Sequence, residues 1–364
     1  MIYTYEQAKP KLRLRGRTME DPERGGLYIN WSTAGVELRF CGTRLSVQME
    51  AISNIAEWDP GSPEEFPCLA VIDEEDRILR RMTVHPEDER IELFSSEKAQ
   101  DRTLKIIKMS ENTRGRIRLI AFEIEGELLP LPEKKKNPLI EVIGDSITCG
   151  YGNEAPGPEE HFIPEHENGW ETYGARAARA VGADWSLVCT SGIALASWLV
   201  DPGFLTPHFA MEEQYPYTDR HTSDLRGLPN PEWDFASHHA DVVVINLGTN
   251  DATQVAFSDD QAAMEKRFSE HYSAFIRTVR RLNGPETYIV CALGPMDYYL
   301  YEVIRDCVNE YRKETDDPKV SCFKFGHTNA MAEGYGGDMH PSMKTHERMG
   351  RELAEYLEKI FVGW

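Results

Sequence analysis

The chain has 364 residues, an apolar fraction of 41% and a formal charge of −21, from 40 Lys plus Arg against 61 Asp plus Glu. Such a composition fills packed interiors and suits two cores better than one, which excludes a disordered chain. The acidic balance, with no basic cluster longer than Lys134-Lys135-Lys136, argues against nucleic acid or an anionic membrane surface as partner.

The opening stretch, MIYTYEQAKPKLRLRGRT, lacks the apolar core of a secretory signal, and no run approaches the roughly eighteen apolar residues of a membrane span. Seven cysteines are dispersed, odd in number and never in a Cys-x-x-Cys spacing. This reads as a reduced compartment with buried thiols, and the expected location is cytoplasmic unless a leader has been removed.

Up to about residue 128 the chain alternates short strand-like segments with Gly, Pro and Asp. GLYINWS, GVELRFCG, RLSVQMEA, PCLAVIDE, ERIELFSS, RTLKIIKMS and RIRLIAFEIEG are seven strand candidates, and no helical period is sustained. The spacing predicts an all-β sandwich or jelly roll over 1–130. A Pro- and Lys-rich join over 131–138 then leads into a second domain, 139–364.

In that second domain strands and helices alternate. PLIEVIG, WSLVCTS, ADVVVINLG, ETYIVCALG and KVSCFKFG are five strand runs. Helical patterns separate them over WETYGARAARAVG, Ser258 to about Arg281 and YYLYEVIRDCVNEYRKE, and a last helix is expected over Met343–Phe361. Nearly all-apolar strands between helices predict a parallel sheet covered on both faces, an α/β/α sandwich whose working residues collect at the carboxyl ends of the strands. Pro202 to Asp234 has little period and is expected to form a long loop.

The first parallel strand stops on Gly144-Asp145-Ser146, which places a hydroxyl at the sheet edge. Ser146 is there either a nucleophile or a helix N-cap. The second strand ends in CTSGIAL, where Gly192 could present a bare backbone N–H. The third ends in INLGTND, where the Asn250 amide lies just past the sheet. After the fifth, EGYGGDMHPS carries His340 with Asp338 nearby. Taken singly each is an ordinary turn or cap residue. Together, after four strands of one sheet, they form a nucleophile, a base and oxyanion donors.

These blocks resemble the SGNH hydrolases, also called GDSL esterases. Gly144-Asp145-Ser146, Gly192 in TSGIA, Gly248-Thr249-Asn250-Asp251 and His340 in DMHP stand in that family's order. More narrowly, GDSITCGYG, WDFASHHADVVVINLGTND, Gly294-Pro295-Met296 and the β-rich first half are similar to carbohydrate esterase family 2. The resemblance implies a jelly-roll domain joined to a three-layer, flavodoxin-like SGNH domain that removes acetyl groups from sugars. It implies Ser146 as nucleophile, His340 as base, and Ser146 N–H, Gly192 N–H and the Asn250 amide as oxyanion hole, with no metal or other cofactor. Many members carry the supporting Asp three residues before the His, where this chain has Gly337. Asp338, two before, is the expected support, the alternative being a backbone carbonyl.

The expected partner is an acetylated mono-, oligo- or polysaccharide. Alternatives are a short-chain lipid acyl esterase or thioesterase on the same fold, and a carbohydrate-binding protein with a silent esterase domain. Tyr151, Trp198, Trp233 and Tyr298 are candidate sugar platforms, with core packing the better reading of any one of them. His161 and His166 read as a solvated acidic loop, with no third ligand at a metal spacing. Cys149 is expected to face the core and His346 to pack or cap. The sugar, the acetylated position and the oligomeric state are open.

Overall fold

The computed structural model describes residues 1–53, 65–133, 136–196 and 210–361. They form two compact units. The first comprises Met1–Lys136, Ile163–Glu165 and Thr218–Asn230, and the second holds Asn137–Phe162, His166–Tyr217 and Pro231–Trp364.

The first unit is an antiparallel sheet. Its strands are β1 (Ile2–Thr4), β2 (Arg13–Arg15), β3 (Met19–Glu20), β4 (Leu27–Tyr28), β5 (Gly35–Ile52), β6 (Cys68–Ile72), β7 (Ile78–Thr83), β8 (Arg90–Lys108) and β9 (Arg116–Leu129). The main path runs β3-β4-β9-β5-β8-β6-β7, with β1 pairing β9 and β2 pairing β5. Two pairs of expected strands are each one long strand, because the apparent breaks are bulges. The pairing of β5 with both β8 and β9 shifts register between Gly42 and Arg44. A Cβ on Gly42 would lie 2.3 Å from the Glu125 carbonyl oxygen, so glycine marks a close backbone approach and not a strand end. The strand β7 had no expected counterpart. Its sequence, ILRRMT, shows little alternation and is only partly buried.

The expected loop from Pro202 to Asp234 is partly corrected. Residues 202–209 lie outside the described residues, and the rest carries helices Met211–Gln214 and Arg220–Arg226. The second of these belongs to the first unit. Asn30 Nδ2 donates to Asp219 Oδ2 at 3.0 Å and to Thr222 Oγ1 at 2.6 Å, and Trp31 Nε1 donates to the Thr218 carbonyl at 2.9 Å. These long-range polar contacts have no signature in hydrophobic period.

The second unit has five parallel strands, β10 (Leu139–Gly144), β11 (Asp184–Cys189), β12 (Val242–Asn246), β13 (Tyr288–Leu293) and β14 (Val320–Lys324), in the order β11-β10-β12-β13-β14. The chain leaves β10 in one direction to β11 and then returns past it to β12. Right-handed crossovers therefore send helix Tyr173–Ala180 to one face and Gln261–Asn283 and Tyr301–Thr315 to the other. The last helix, Met343–Phe361, packs against Tyr173–Ala180. Val142, Val243, Val244, Ile245, Val290 and Leu293 are fully buried, as strands covered on both faces require. The stretch expected as one helix from Ser258 starts instead at Gln261, where the Asp260 carboxylate caps the Ala263 N–H at 3.0 Å, and a separate helix precedes it over Thr249–Ala256. No helix among the described residues is long and apolar enough to cross a membrane.

His346 packs, as expected. It is fully buried, Nδ1 accepts the Tyr173 N–H at 3.2 Å, and burial drives its pKa down to about 3. A base whose pKa falls on folding takes up its proton only in the unfolded chain. Its contribution is complete above the ordinary value near 6.5 and is lost as pH falls toward 3. Urea unfolding between pH 6 and 4 should show the native chain losing about 1.4 kcal/mol per pH unit more than His346→Gln. Equal losses in both proteins would mean that the folded ring is already protonated.

Candidate active site

The strand β10 ends where the backbone must turn inside the space of its own helix. A Cβ on Gly144 would lie 1.9 Å from Thr148 Oγ1, so only glycine fits. The following residue, Asp145, is the N-cap of the short helix Ser146–Cys149, its carboxylate accepting the Ile147 N–H at 3.0 Å. The cap role weighed for Ser146 is thus filled by its neighbour, and the serine hydroxyl is left for other work. Only 8% of Ser146 is exposed, and its Oγ lies 3.0 Å from His340 Nε2. Cys149 is buried, as expected.

The other ring nitrogen settles the direction of that bond. His340 Nδ1 lies 3.1 Å from the main-chain carbonyl of Asp338. A carbonyl only accepts, so Nδ1 carries the proton of the neutral ring and Nε2 offers a lone pair to the serine hydroxyl.

That carbonyl corrects the expectation that the Asp338 carboxylate supports the ring. Asp338 and Met339 both sit in the left-handed region, at φ 47° and 62°. The turn they make brings the main-chain oxygen of Asp338 to Nδ1 and directs its carboxylate to another set of donors. Oδ2 accepts from Tyr151 OH at 2.9 Å and Phe162 N–H at 3.0 Å, and Oδ1 pairs with His161 Nδ1 at 3.0 Å. Burial pushes this carboxyl up, but the hydrogen bonds from Tyr151, His161 and Phe162 outweigh it and hold the pKa below the ordinary value. The loop itself is fixed by contact with the backbone at Gly152. Gly337 N–H donates to the Gly152 carbonyl at 2.9 Å, and a Cβ on Gly336 would lie 2.3 Å from the same oxygen.

The second and third strand ends meet each other. Gly192 is left-handed, at φ 74°, on the loop after β11, and Thr190 N–H of that loop donates to the Gly144 carbonyl at 3.4 Å. Asn250, second residue of helix Thr249–Ala256, donates through Nδ2 to the Ile193 carbonyl at 3.0 Å. A primary amide has two hydrogens, so one remains after this contact. The same loop is held at Leu195, whose N–H reaches the Asp251 carboxylate at 3.0 and 3.2 Å. Burial pushes Asp251, and likewise Asp145, up to about 7. Both carboxyls are therefore largely protonated below neutrality, which keeps negative charge away from the serine.

Of the candidate sugar platforms, Trp198 lies outside the described residues. The Tyr151 ring stacks on His340 with centroids 4.1 Å apart and on Phe162 at 4.3 Å, so it is packed against protein. Trp233 stacks on His238 at 4.3 Å. Tyr298 carries Lys324 Nζ at 5.0 Å from its centroid and donates its hydroxyl to the Gly326 carbonyl at 2.8 Å. It also lines a cavity of about 510 Å³ with Met296, His327, Tyr335, Met339 and Pro341, immediately beside His340. A larger cavity, about 670 Å³, lies at the opposite end, by Asp241, Tyr288 and Lys319 at the amino ends of the strands. It holds none of the residues above. The contacts of Phe162 and His161 with Asp338 were not foreseen, since a free-reading loop gives no sign of what its backbone will donate to.

A serine–histidine pair, its histidine held in one tautomer, at the carboxyl edge of a doubly wound parallel sheet defines an α/β hydrolytic domain, here accompanied by an antiparallel β unit. Residues 140–353 match the model of the GDSL-like lipase/acylhydrolase family, and 14–132 match the carbohydrate esterase 2 N-terminal domain. The chain is 32% identical over 376 residues to cellulase/esterase CelE of Acetivibrio thermocellus, covering 99% of this chain and 41% of that protein. It therefore spans about two-fifths of the length of that relative. It is 25% identical to an acetylxylan esterase/glucomannan deacetylase of Cellvibrio japonicus, covering 98% and 91% of the two chains. Among solved structures, a family two carbohydrate esterase from Clostridium thermocellum in complex with cellohexaose superposes with a TM-score of 0.79 at 30% identity, over 96% and 99% of the chains. The acetyl xylan esterase Est2A from Butyrivibrio proteoclasticus, at 23% identity, shares the fold with a TM-score of 0.83 over 99% and 98%. This chain belongs to the GDSL-like lipase/acylhydrolase family and, within it, to carbohydrate esterase family 2.

Replacing Asn250 by Ala should lower kcat on an acetyl ester by roughly 10²–10³ with little change in KM, the pattern of a donor used mainly in the transition state. A pure KM effect in steady-state kinetics would place Asn250 against bound substrate instead.

Proposed function

We propose that this chain is a serine esterase that removes acetyl groups from a saccharide through an acyl-enzyme. The observation that carries the reading is the 3.0 Å contact between Ser146 Oγ and His340 Nε2, on a ring whose Nδ1 is committed to a main-chain carbonyl. His340 takes the hydroxyl proton as Ser146 attacks the acetyl carbonyl. The same ring, now imidazolium, gives that proton to the departing sugar oxygen. Water then attacks the acyl carbon, losing a proton to His340, and acetate leaves as the ring returns that proton to Ser146 Oγ.

Charge on the tetrahedral oxygen is met by the N–H groups of Ser146 and Gly192 and by the remaining amide hydrogen of Asn250. One such donor contributes about 2.7–4 kcal/mol to the transition state. The imidazolium is stabilised by the Asp338 carbonyl dipole on Nδ1, so the working unit is a pair with a backbone support and not a carboxylate triad.

A saccharide as substrate is favoured by the named activities of the relatives and by the cleft beside His340. Its lining combines the aromatic side chains of Tyr298, Tyr335 and His327 with the apolar side chains of Met296 and Met339, a mixture suited to a sugar. Acetylated xylo-, manno- and cello-oligosaccharides should each be offered to the protein and acetate measured. The reading requires release from at least one, with Ser146→Ala reduced to below a few per cent of that rate while its thermal transition is kept. It also requires the rate on p-nitrophenyl esters to fall sharply from acetyl to octanoyl, and EDTA to leave it unchanged. Faster octanoyl turnover with no acetate from any sugar would point to a lipid acyl substrate.

A further inference from the structure

We propose that Tyr151 and the Asp338 carboxylate form one clamp that positions the His340 ring, making both of them positioning residues for the reaction proposed above. Tyr151 stood in the sequence as a candidate surface for sugar, with packing the better reading. Its surroundings give it different work. The Tyr151 and His340 ring centroids are 4.1 Å apart with planes 31° from parallel, and those of Tyr151 and Phe162 are 4.3 Å apart at 30°. Two rings at such separations and tilts cannot share one face, so Tyr151 is sandwiched between them and offers no open face to a ligand.

The hydroxyl of the same tyrosine donates to Asp338 Oδ2, the oxygen that also accepts the Phe162 N–H. The carboxylate therefore grips both the residue stacked on the histidine and the residue stacked behind it. His161, whose side chain is 95% exposed, takes the second oxygen. One side chain thus ties the 151 and 161–162 segments to the turn that carries His340.

The turn needs such a tie. Asp338 and Met339 are consecutive non-glycine residues at positive φ, a strained conformation that persists only when the surroundings over-determine it. It is the left-handed Asp338 that presents its own carbonyl to Nδ1. The carboxylate holds the turn, the turn aims the carbonyl, and the Tyr151 ring covers the flank of the imidazole so that it cannot swing from Ser146. Asp338 acts on the reaction through both its side chain and its backbone, while only the backbone touches the ring nitrogen.

The test compares a sugar-free ester, p-nitrophenyl acetate, with an acetylated oligosaccharide. Tyr151→Leu removes ring and hydroxyl and should lower kcat about 10- to 100-fold on both substrates, with KM changed less than about threefold. Tyr151→Phe keeps the sandwich and should recover most of that loss, staying within about tenfold of the native rate. Asp338→Asn should fall at least as far, because the carboxylate also serves Phe162 and His161, and the Tyr151→Phe/Asp338→Asn pair should be no worse than Asp338→Asn alone, because the Tyr151 contact is already lost there. A Tyr151→Leu variant unchanged on p-nitrophenyl acetate but weakened in KM for the saccharide would make Tyr151 a sugar contact and overturn the clamp. So would multiplicative losses in the double variant, which stands in for Tyr151→Leu should that protein fail to fold. Ser146→Ala separates the two readings. If it is inactive while Tyr151→Leu is native-like, the clamp alone fails; if it stays active, the serine mechanism fails.

Discussion

The hydrogen bond between Ser146 and His340 joins residues 194 positions apart in the chain, and the geometry of the site follows from what is needed to make it. The serine must stand at the mouth of β10 with its hydroxyl uncommitted. This requires a glycine at 144 and a different residue, Asp145, to cap the helix. The histidine must arrive from beyond β14 with a defined tautomer. A loop with glycines at 336 and 337 packs against the backbone of Gly152, and a left-handed turn follows. Neither end tolerates much change, because Gly144 is limited by the Thr148 side chain and Gly336 by the backbone of Gly152.

Topology explains why these ends meet. The chain steps from β10 to β11 on one side and to β12 on the other, so the edge between β10 and β12 is where the loops diverge and leave a crevice. Ser146 follows β10 and Asn250 follows β12, and Gly144 is paired with Asn246 in the register between them. The loop after β11 reaches back across the end of β10 through Thr190 and meets Asn250 through Ile193. The buried carboxyls of Asp145 and Asp251 lie beneath this arrangement. Burial pushes both up to about 7 and so disfavours their charged forms at these strand ends.

Much of this was legible in the sequence. Five apolar runs between helical patterns gave the parallel sheet, and the last helix, expected at roughly 343–361, spans Met343–Phe361. Ser146, Gly192, Asn250 and His340 stand out because each follows a strand, a local property that a sequence displays, and the structure brings Ser146 to 3.0 Å from His340. The identity of the group on His340 Nδ1 was not legible, since Asp338 offers both a carboxylate and a carbonyl and only the sign of φ decides between them. Packing was the better reading of Tyr151, a candidate sugar surface, but its partners, Phe162 and His340, are brought to it only by folding. In the β unit, glycines at bulges read as strand ends, and the Asn30 and Trp31 contacts to 218–222 join segments nearly 190 residues apart. Hydrophobic period carries no information about either.

The central claim is that Ser146 becomes acylated with His340 as its only base, and with a main-chain carbonyl in place of a carboxylate on the far ring nitrogen. Quenching the protein in acid during turnover of p-nitrophenyl acetate, followed by peptide mass spectrometry, tests it directly. The account predicts one acetyl group on the peptide containing Ser146, at the serine itself, formed by the native chain and by Asp338→Asn but not by His340→Ala. An acetyl group found on another residue, or steady turnover with no acetylated peptide at any quench time and none under slowed deacylation at low pH, would contradict it.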